Sequence, residues 1–234
     1  MTQFEQAVVV VPAHNEVAHL PDCLRALTSA ALCLPVPVLI VTVLDSSDDG
    51  SDGLAGKFGP DVHFVSVEAG NVGAARAAGF DYARSACEGI DLNNIWYATT
   101  DADSAVDADW LLRMTDADAD MVLGVVRIPT WRHFPASVVR RYLRAYHSKG
   151  HGHNHIHGAN MGFRADAYWA VGGFRALETG EDVELVKRFE AAGMRINRDA
   201  KLSVATSARR VGRAPNGFAD RLRELGSRRK ASAP

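Results

Sequence analysis

Three short runs of apolar, mostly β-branched residues punctuate the first half of the chain. They cover residues 7–11, 38–44 and 62–67, and continuous apolar runs of this length are typical of strands buried on both faces. Apolar residues at helical spacing follow the first run, and residues typical of the start of a helix follow the third. Strands that alternate with helices join in parallel through crossover connections. The sequence therefore predicts an α/β fold with a mostly parallel central sheet and helices on both faces.

The boundaries of these elements are predicted from local signals. We expect the first strand to end at Pro12, and Asn15 to cap the helix that carries Leu20, Leu24 and Leu27. A fourth buried strand is predicted at residues 96–99. The later part of the chain is less regular, with strands expected at 121–128 and 156–164 and helices at 107–114, 134–148 and 181–192, the last ended by Gly193.

The length and the linkers predict one domain. The chain has 234 residues and contains no internal repeat and no long low-complexity segment, so we expect a single domain over residues 1–208. Its first half, about 1–105, is expected to bind a nucleotide. Its second half, about 106–208, is expected to supply the group with which the nucleotide-bound moiety reacts.

Charge is distributed unevenly along the chain. The formal net charge is −2, and the segment 209–234 contains eight Lys/Arg and two Asp/Glu, which gives +6 there and −8 for residues 1–208. A mainly acidic body argues against nucleic-acid binding. The basic C-terminal extension is a candidate for contact with an anionic membrane surface or with phosphate, and a solvated tail is the alternative.

Targeting signals are absent from the printed sequence. No apolar run reaches the length of a membrane span, and the N-terminus lacks the basic start and apolar stretch of a signal peptide. The three cysteines are scattered, at Cys23, Cys33 and Cys87. This cysteine pattern favours a reducing, cytoplasmic location.

Two carboxylates, Asp101 and Asp103, follow the fourth predicted strand and are separated by Ala102. If the pleat continued, both side chains would point the same way, at the strand end where α/β sheets bind ligands. Hard oxygen ligands with open positions beside them suit Mg²⁺ or Mn²⁺ carrying a diphosphate. The structural alternative is that one Asp makes a turn and the other caps the helix at 107–114.

Polar residues also follow the first and second predicted strands. A carboxylate at Asp45 can accept a hydrogen bond from a base N–H, while the turn after the first strand can present backbone and carboxylate to a nucleoside. The acidic cluster that starts at Asp45 is not a calcium loop, because its twelfth position is Gly56 instead of a bidentate Glu. Plain turns with a helix cap are the alternative for both segments. The residues after the first strand are Pro12, Ala13, His14, Asn15 and Glu16.

Two helix starts carry further candidates. Small residues and Arg76 follow Asn71, and a helix N-terminus with a guanidinium favours a diphosphate, although neither the dinucleotide fingerprint nor a P-loop is present. Asp182 opens the helix at 181–192, where the helix dipole favours the ionised carboxylate and hence a general base. The competing interpretation is a capping box formed by Thr179 and Asp182.

In their order along the chain, these motifs resemble the family 2 glycosyltransferases of the GT-A fold. The resemblance covers roughly residues 7–200 and implies a nucleotide-diphosphate sugar donor, a divalent cation (Mg²⁺ or Mn²⁺), a hydroxyl acceptor and inversion at the anomeric centre. The motifs that carry it are Pro12 to Glu16, Asp45 to Ser51, Asn71 to Gly79, Asp101-Ala102-Asp103, Gly158-Ala159-Asn160-Met161 with Val171-Gly172-Gly173-Phe174, and Gly180-Glu181-Asp182.

The resemblance also implies a role for individual residues. Asp103 would ligate the cation, with Asp101 on the cation or the nucleotide sugar, and Asp182 would deprotonate the acceptor hydroxyl. Glu16 and Asp45 would hold ribose and base. The remaining donor-side candidates are Pro12, Ala13, Asn15, Asp48, Ala102 and Arg76, the last near the diphosphate, and the acceptor-side candidates are His157, Gly158, Ala159, Asn160 and Glu181.

The chain departs from the family pattern in several places. The second motif contains Asp45, Asp48 and Asp49, so the sequence does not decide which of these aspartates contacts the nucleotide base. No Gln-x-x-Arg-Trp follows Asp182, which predicts a single-transfer enzyme instead of a processive synthase. No histidine follows His157 to join the cation; Thr206, Ser207 or water could take that place. The two alternatives to a transferase are a sugar nucleotidyltransferase and a non-catalytic nucleotide-sugar-binding protein.

Alternating histidines occupy residues 151–157, and on a strand they would share one face. A zinc site is one interpretation of this pattern. A mobile loop on the acceptor side, with His157 best placed to touch substrate, is the interpretation that we favour.

Overall fold

A computed structural model describes residues 4–131, 134–146 and 153–207 of the chain. The strands are β1 (Gln6–Ala13), β2 (Val38–Asp45), β3 (Val62–Val67), β4 (Ile95–Thr99), β5 (Ser104–Ala105), β6 (Met121–Arg127), β7 (Met161–Arg164) and β8 (Ile196–Thr206). The helices are α1 (Leu20–Leu32), α2 (Val72–Ala86), α3 (Trp110–Thr115), α4 (Ala136–Tyr146), α5 (Ala165–Ala170) and α6 (Glu181–Ala191), with short 3₁₀ turns at Ser51–Leu54 and Leu92–Asn94.

The strands form one sheet in the order β3-β2-β1-β4-β7-β6-β8-β5. The pairs among the strands β1 to β4 are all parallel: β1 lies between β2 and β4, and β3 pairs with β2. In the second half β7 runs antiparallel to both β4 and β6, and β8 is parallel to β6. The predicted α/β fold with a mostly parallel sheet is confirmed.

Helices cover both faces of the sheet, as predicted. On one face α1 and α3 pack against β1 and β4 through residues such as Leu24 and Trp110. On the other face α2, α5 and α6 enclose an aromatic core in which Phe80 stacks on Tyr97 at 4.8 Å. Trp96 and Tyr97 face opposite cores because side chains alternate along a strand.

The strand β1 continues through Pro12 to Ala13, so the predicted end at Pro12 is wrong. The Val10 carbonyl faces β4, where it accepts from the Thr100 N–H. A residue two positions further on points its N–H to the same side. At the level of Pro12, β4 has already ended. A backbone N–H at this position would therefore have no strand partner, so β1 tolerates the proline.

The predicted helix cap at Asn15 is also wrong. The helix α1 begins at Leu20, its N-cap is His19, and no side chain caps it. Asn15 has a φ of 55°, and its side-chain oxygen accepts from the Asp48 backbone N–H at 2.9 Å. It therefore shapes a loop instead of starting a helix.

In the second half of the chain, the observed elements differ from the predicted ones mainly in length. The helix predicted at 107–114 is α3, which begins only at Trp110, and the strand predicted at 156–164 is reduced to β7 at Met161–Arg164. The helix α6 ends as predicted, with Gly193 at a φ of 70°. The C-terminal extension 209–234 and the end of the helix predicted at 134–148 lie outside the described residues. Within the described ranges, no helix is long and apolar enough to cross a membrane.

Candidate active site

The candidate residues gather at the carboxyl ends of β1, β2 and β4, three neighbouring parallel strands. Asp45 is the last residue of β2, and Asp101 follows β4 by two positions. This edge is where α/β sheets bind ligands, because the loops that leave adjacent strands meet there.

The loops after β1 and β2 are fastened to each other. The backbone N–H of Asn15 donates to Ser47 Oγ at 3.1 Å, and its side chain accepts from Asp48. Asp49 Oδ2 accepts from the Val17 N–H at 2.7 Å. These bonds occupy Asn15 and Asp49 with protein groups and leave the Asp48 carboxylate exposed.

Asp45 organises the loop after β3. Its Oδ1 accepts from the backbone N–H groups of Ala69 at 2.8 Å and Gly70 at 3.0 Å, and from Ser46 Oγ at 3.1 Å. Glu16, the other carboxylate expected on the nucleoside, lies 3.3 Å from the His19 ring. Asp45 therefore links the loops after β2 and β3 beside the loop that holds Glu16.

Arg76 is buried, with an exposed fraction of 2%. Its Nε donates to Thr99 Oγ1 at 3.2 Å, its Nη2 donates to Asp101 Oδ1 at 2.7 Å, and its Nη1 donates to Glu181. The expectation of a guanidinium presented to a diphosphate at the helix start is therefore not met. The reason is helical phase: Arg76 shares the sheet-facing side of α2 with Gly79, where a Cβ would meet Val10 at 2.5 Å.

Asp101 lies among charges of both signs. Burial raises the pKa of Asp101 to about 6; the Arg76 guanidinium opposes this rise, and the carboxylates of Asp103, Glu181 and Asp182 add to it. The Asp101 side chain is nevertheless 40% exposed, so water screens part of these interactions. The Asp101–Asp103 turn and the start of α6 therefore lie within electrostatic reach of one another.

Asp103 faces the end of β8. Its Oδ2 accepts from Ser207 Oγ at 2.5 Å, and its Oδ1 lies 3.5 Å from Thr206 Oγ1. The alternative of a helix cap is wrong, because the N-cap of α3 is Asp109. The expected common direction of Asp101 and Asp103 is wrong too, because the chain turns at Ala102 and the two carboxylates bind different partners.

The oxygen atoms at Asp103 suit a hard cation, since a carboxylate and two hydroxyl groups converge there. Asp101 suits one less well, because its Oδ1 is bound to Arg76. Within the part of the chain that is described, no three His, Cys, Asp or Glu side chains converge as a metal site. A cation at Asp103 would therefore need further ligands from substrate or water.

Asp182 does not form the capping box with Thr179 that was the competing interpretation. The N-cap of α6 is Gly180, with a φ of 74°, and no side chain caps the helix. Asp182 Oδ2 accepts from the Gly158 N–H at 2.9 Å, and its Oδ1 accepts from the Val183 N–H at 2.7 Å. One oxygen is thus turned to its own helix end and the other crosses to the segment before β7.

Two of the acceptor-side candidates are buried in protein contacts. Glu181 pairs with Arg76. Asn160 is fully buried: it accepts from Trp110 Nε1 at 2.9 Å and donates to the carbonyls of Val125 and Leu202. Asn160 joins β6 and β8 where their register shifts, so its side-chain amide is fully engaged by protein groups. Ala159 beside it is buried as well.

The histidines at residues 153, 155 and 157 stack on one another in the segment before β7. The rings of His153, His155 and His157 follow one another at 5.8 Å, and Tyr146 lies 4.0 Å from His155. They are not on a strand, and their ring nitrogens face carbonyl oxygens or the Tyr146 hydroxyl. The zinc interpretation gains no support from these residues, and His151 lies outside the described ranges.

Sequence reasoning missed Thr99, which holds Arg76 and is itself bonded to the Val10 carbonyl at 2.9 Å. No local signal distinguishes this threonine from other buried strand residues. By contrast, Thr206 and Ser207, the candidates to replace the late histidine of the family pattern, do lie beside Asp103.

Solved structures with a similar architecture include TarS and PcManGT. Residues 1–349 of TarS from S. aureus in complex with UDP-GlcNAc give a TM-score of 0.65 at 15% identity, covering 94% of this chain and 64% of that chain. The mannosyltransferase PcManGT from Pyrobaculum calidifontis, in complex with GDP-Man and Mn²⁺, gives 0.62 at 17% identity, covering 97% and 70%. The chain thus spans less than two thirds of the TarS fragment. These likenesses confirm the GT-A fold.

No curated protein sequence matches the chain. Residues 8–172, however, match the family described as Glycosyl transferase family 2. This match includes the strands β1 to β4, the Asp101–Asp103 turn and the segment before β7, and it ends short of Asp182. The chain therefore belongs to glycosyl transferase family 2.

Proposed function

We propose that this protein transfers a sugar from a nucleotide-diphosphate donor to an acceptor hydroxyl with inversion, assisted by a divalent cation. The observation that carries the proposal is the meeting of the Asp101–Asp103 turn with the start of α6, where Asp182 lies. Both segments bond to Arg76. Acidic residues from distant parts of the chain therefore border one region at the ligand-binding edge of the sheet.

The donor half of the proposal rests on the loops after β1, β2 and β3. These loops are tied together through Asn15, Asp45 and Asp49, which gives a preformed rim for a nucleoside. Glu16, Asp45 and the exposed Asp48 remain the carboxylates proposed to meet ribose and base, with Pro12 and Ala13 at the rim. The nucleotide sugars bound to TarS and PcManGT support a nucleotide-sugar donor in this chain.

The cation is proposed to bind Asp103, with Thr206 and Ser207 beside it. When bound there, Mg²⁺ or Mn²⁺ would neutralise the negative charge that develops on a departing diphosphate. PcManGT in complex with Mn²⁺ and GDP-Man supports this part of the proposal. Asp101, which the resemblance also placed on the cation, is proposed to act at the donor from its position on Arg76.

Asp182 is proposed to be the general base. A helix N-terminus favours the ionised carboxylate, and each Asp182 oxygen keeps a further lone pair beyond its bond to Gly158 or Val183. An acceptor hydroxyl that loses its proton there would attack the donor sugar from the side away from the diphosphate. A single displacement of this kind inverts the anomeric centre and needs no covalent intermediate.

Two other functions fit the site less well. A sugar nucleotidyltransferase normally carries a glycine-rich basic loop after its first strand, whereas this chain has the turn from Pro12 to Glu16. A non-catalytic sugar-binding protein has no need for an aspartate oriented by two backbone N–H groups. Both therefore rank behind the transferase.

The proposal has three further parts. Residues 1–208 are proposed to act as one unit, with His157 and Gly158 closest to the acceptor. Three unpaired cysteines support a reducing, cytoplasmic location. The contact of the basic extension 209–234 with an anionic surface concerns residues outside the described ranges.

The proposal is tested by thermal unfolding with a panel of UDP, GDP, TDP and CDP sugars, each with and without Mn²⁺. A ligand that binds only the folded state raises the unfolding temperature, and the rise grows with the logarithm of its concentration relative to its Kd. We expect one nucleotide to stabilise the protein, and to do so more strongly with Mn²⁺. The absence of any shift across the panel would refute a nucleotide-sugar function.

A further inference from the structure

The Arg76 guanidinium bridges the two acidic segments of the candidate site. Its Nη2 donates to Asp101 Oδ1 at 2.7 Å, and its Nη1 donates to Glu181. Asp101 opens the turn that carries Asp103, and Glu181 immediately precedes Asp182 at the start of α6. One side chain thus joins the donor-side turn to the proposed base.

This guanidinium is enclosed by protein on several sides. Its Nε is bonded to Thr99 at 3.2 Å, and the Phe174 ring centroid lies 5.6 Å from Cζ. A Cβ added at Gly158 would come within 2.5 Å of Nη2. Each guanidinium nitrogen already donates to a protein acceptor and the residue is buried, so the side chain is not presented to a diphosphate.

The planar fork of arginine explains why this residue type fits the bridge. A guanidinium presents its N–H donors in a rigid geometry, so two carboxylates that bind its two Nη atoms are held at a set separation. A lysine ammonium is a point charge on a flexible stem and imposes no such separation. The distance between the Asp101 turn and α6 therefore depends on the arginine itself and not merely on a positive charge.

We propose that Arg76 is a positioning residue that sets the distance between the Asp101–Asp103 turn and Asp182, and that it does not bind the donor diphosphate. This inference rests on the proposed function, because it concerns the donor and the base of that reaction. A base displaced by about an ångström lowers turnover by about 100-fold. Donor affinity is then preserved, because the bonds at Asn15, Asp45 and Asp49 that build the nucleoside rim do not include Arg76.

The test compares Arg76→Lys and Glu181→Gln with the unaltered protein, using the nucleotide sugar that the thermal panel selects. Donor affinity is measured by calorimetry with Mn²⁺, and turnover is measured as release of nucleoside diphosphate with water as the acceptor. We expect both variants to lower kcat at least about 10-fold and to change the donor Kd by less than about 3-fold. Glu181→Gln keeps the side-chain shape and the Arg76–Asp101 pair, so it decides the matter if Arg76→Lys does not fold.

Arg188→Lys is the matched control. Arg188 of α6 also forms a forked pair, with Glu184 one turn earlier, and it donates to the carbonyls of Val171 and Gly173, which follow α5. We expect its substitution to lower the unfolding temperature without changing kcat or Kd of the folded protein. If Arg76→Lys and Glu181→Gln behave in the same way, Arg76 is merely structural and the inference is overturned.

Two other outcomes are also decisive. A rise of the donor Kd by more than about 30-fold in Arg76→Lys, with kcat little changed, would identify Arg76 as a diphosphate ligand and overturn the inference. If the unaltered protein binds no nucleotide sugar, the proposed function itself fails and this inference falls with it. If the unaltered protein binds and turns over a donor, the variants test Arg76 alone.

Discussion

The carboxylate of Asp182 accepts a hydrogen bond of 2.9 Å from the backbone N–H of Gly158, a residue 24 positions earlier in the chain. Its other oxygen accepts from Val183 at 2.7 Å. Two backbone donors therefore hold the carboxylate in one orientation, beside the Arg76 cluster. Such an orientation is what a general base needs, because proton transfer depends on hydrogen-bond geometry before it depends on pKa.

We expect Asp182→Asn to abolish most turnover while donor binding persists. An amide has nearly the same shape as the carboxylate but cannot accept the proton, so kcat should fall by about 10² to 10⁴. Nucleoside diphosphate release and calorimetric Kd measure the two effects. Asp166→Asn, at an aspartate in the first turn of α5, is the control and should keep full turnover. Full turnover in Asp182→Asn would remove this residue from the role of base.

Substitution of Asp103 should remove the effect of metal on donor binding. In Asp103→Asn the charge that attracts the cation is lost, so the extra thermal shift given by Mn²⁺ with the donor should disappear, as it should in the unaltered protein with a chelator. The exposed Asp109, which makes no capping bond, provides the control variant Asp109→Asn. A Mn²⁺ effect that survives in Asp103→Asn would place the cation elsewhere.

Asn160→Ala should destabilise the fold without weakening donor affinity. The substitution leaves the Trp110 indole N–H and the carbonyls of Val125 and Leu202 without their partner. Buried polar groups left unpaired cost about 1–3 kcal/mol each, so thermal denaturation should show a clearly lower midpoint. Asn93→Ala, at an exposed position, should cost little. An Asn160→Ala protein of unchanged stability would contradict its structural role.

Gly158→Ala should disturb both stability and turnover. The added methyl group would lie 2.5–2.7 Å from three guanidinium atoms of Arg76, and Arg76 cannot retreat without breaking its bonds to Asp101 and Glu181. Overpacking of this kind costs about 1–3 kcal/mol. Gly53→Ala, where a Cβ meets nothing within 4 Å, should leave the unfolding temperature and turnover nearly unchanged. Equal stability and turnover of the two variants would show that Arg76 can move away from a methyl group at position 158 without cost.

The cysteines should differ in reactivity. Burial raises the pKa of the Cys23 and Cys87 thiols, and the nearby Asp101 adds to the rise at Cys23, so both stay protonated and unreactive as the pH rises through 8. Cys33 is exposed. A thiol reagent should therefore modify one cysteine in the folded protein and all three after denaturation, and Cys33→Ser should remove the fast reaction. Rapid labelling of Cys23 would contradict its burial beneath the Asp101 turn.

Local patterns were sufficient for the frame of this protein. The apolar runs that become β1, β2 and β3, and the small residues that open α2, determine strand and helix because side-chain periodicity and backbone preference act over a few neighbouring residues. For the same reason Asp101, Asp103 and Asp182 were located as candidates: each follows or opens a recognisable element. Their order in the chain also predicted the family.

Contacts between distant segments determined whether each polar side chain of the site is buried and which partner it binds. Arg76, Glu181 and Asn160 are residue types that often bind ligands. In this fold they instead bind protein groups as many as 105 positions away in the chain. Local sequence does not record such partners, because burial and hydrogen bonding are set by how elements pack. The same limit explains Asn15. Its local sequence predicts a helix cap, but in the structure its side chain binds the Asp48 backbone of a neighbouring loop. Which carboxylates border the donor region, and how far apart they stand, is therefore a property of the packed sheet and its helices.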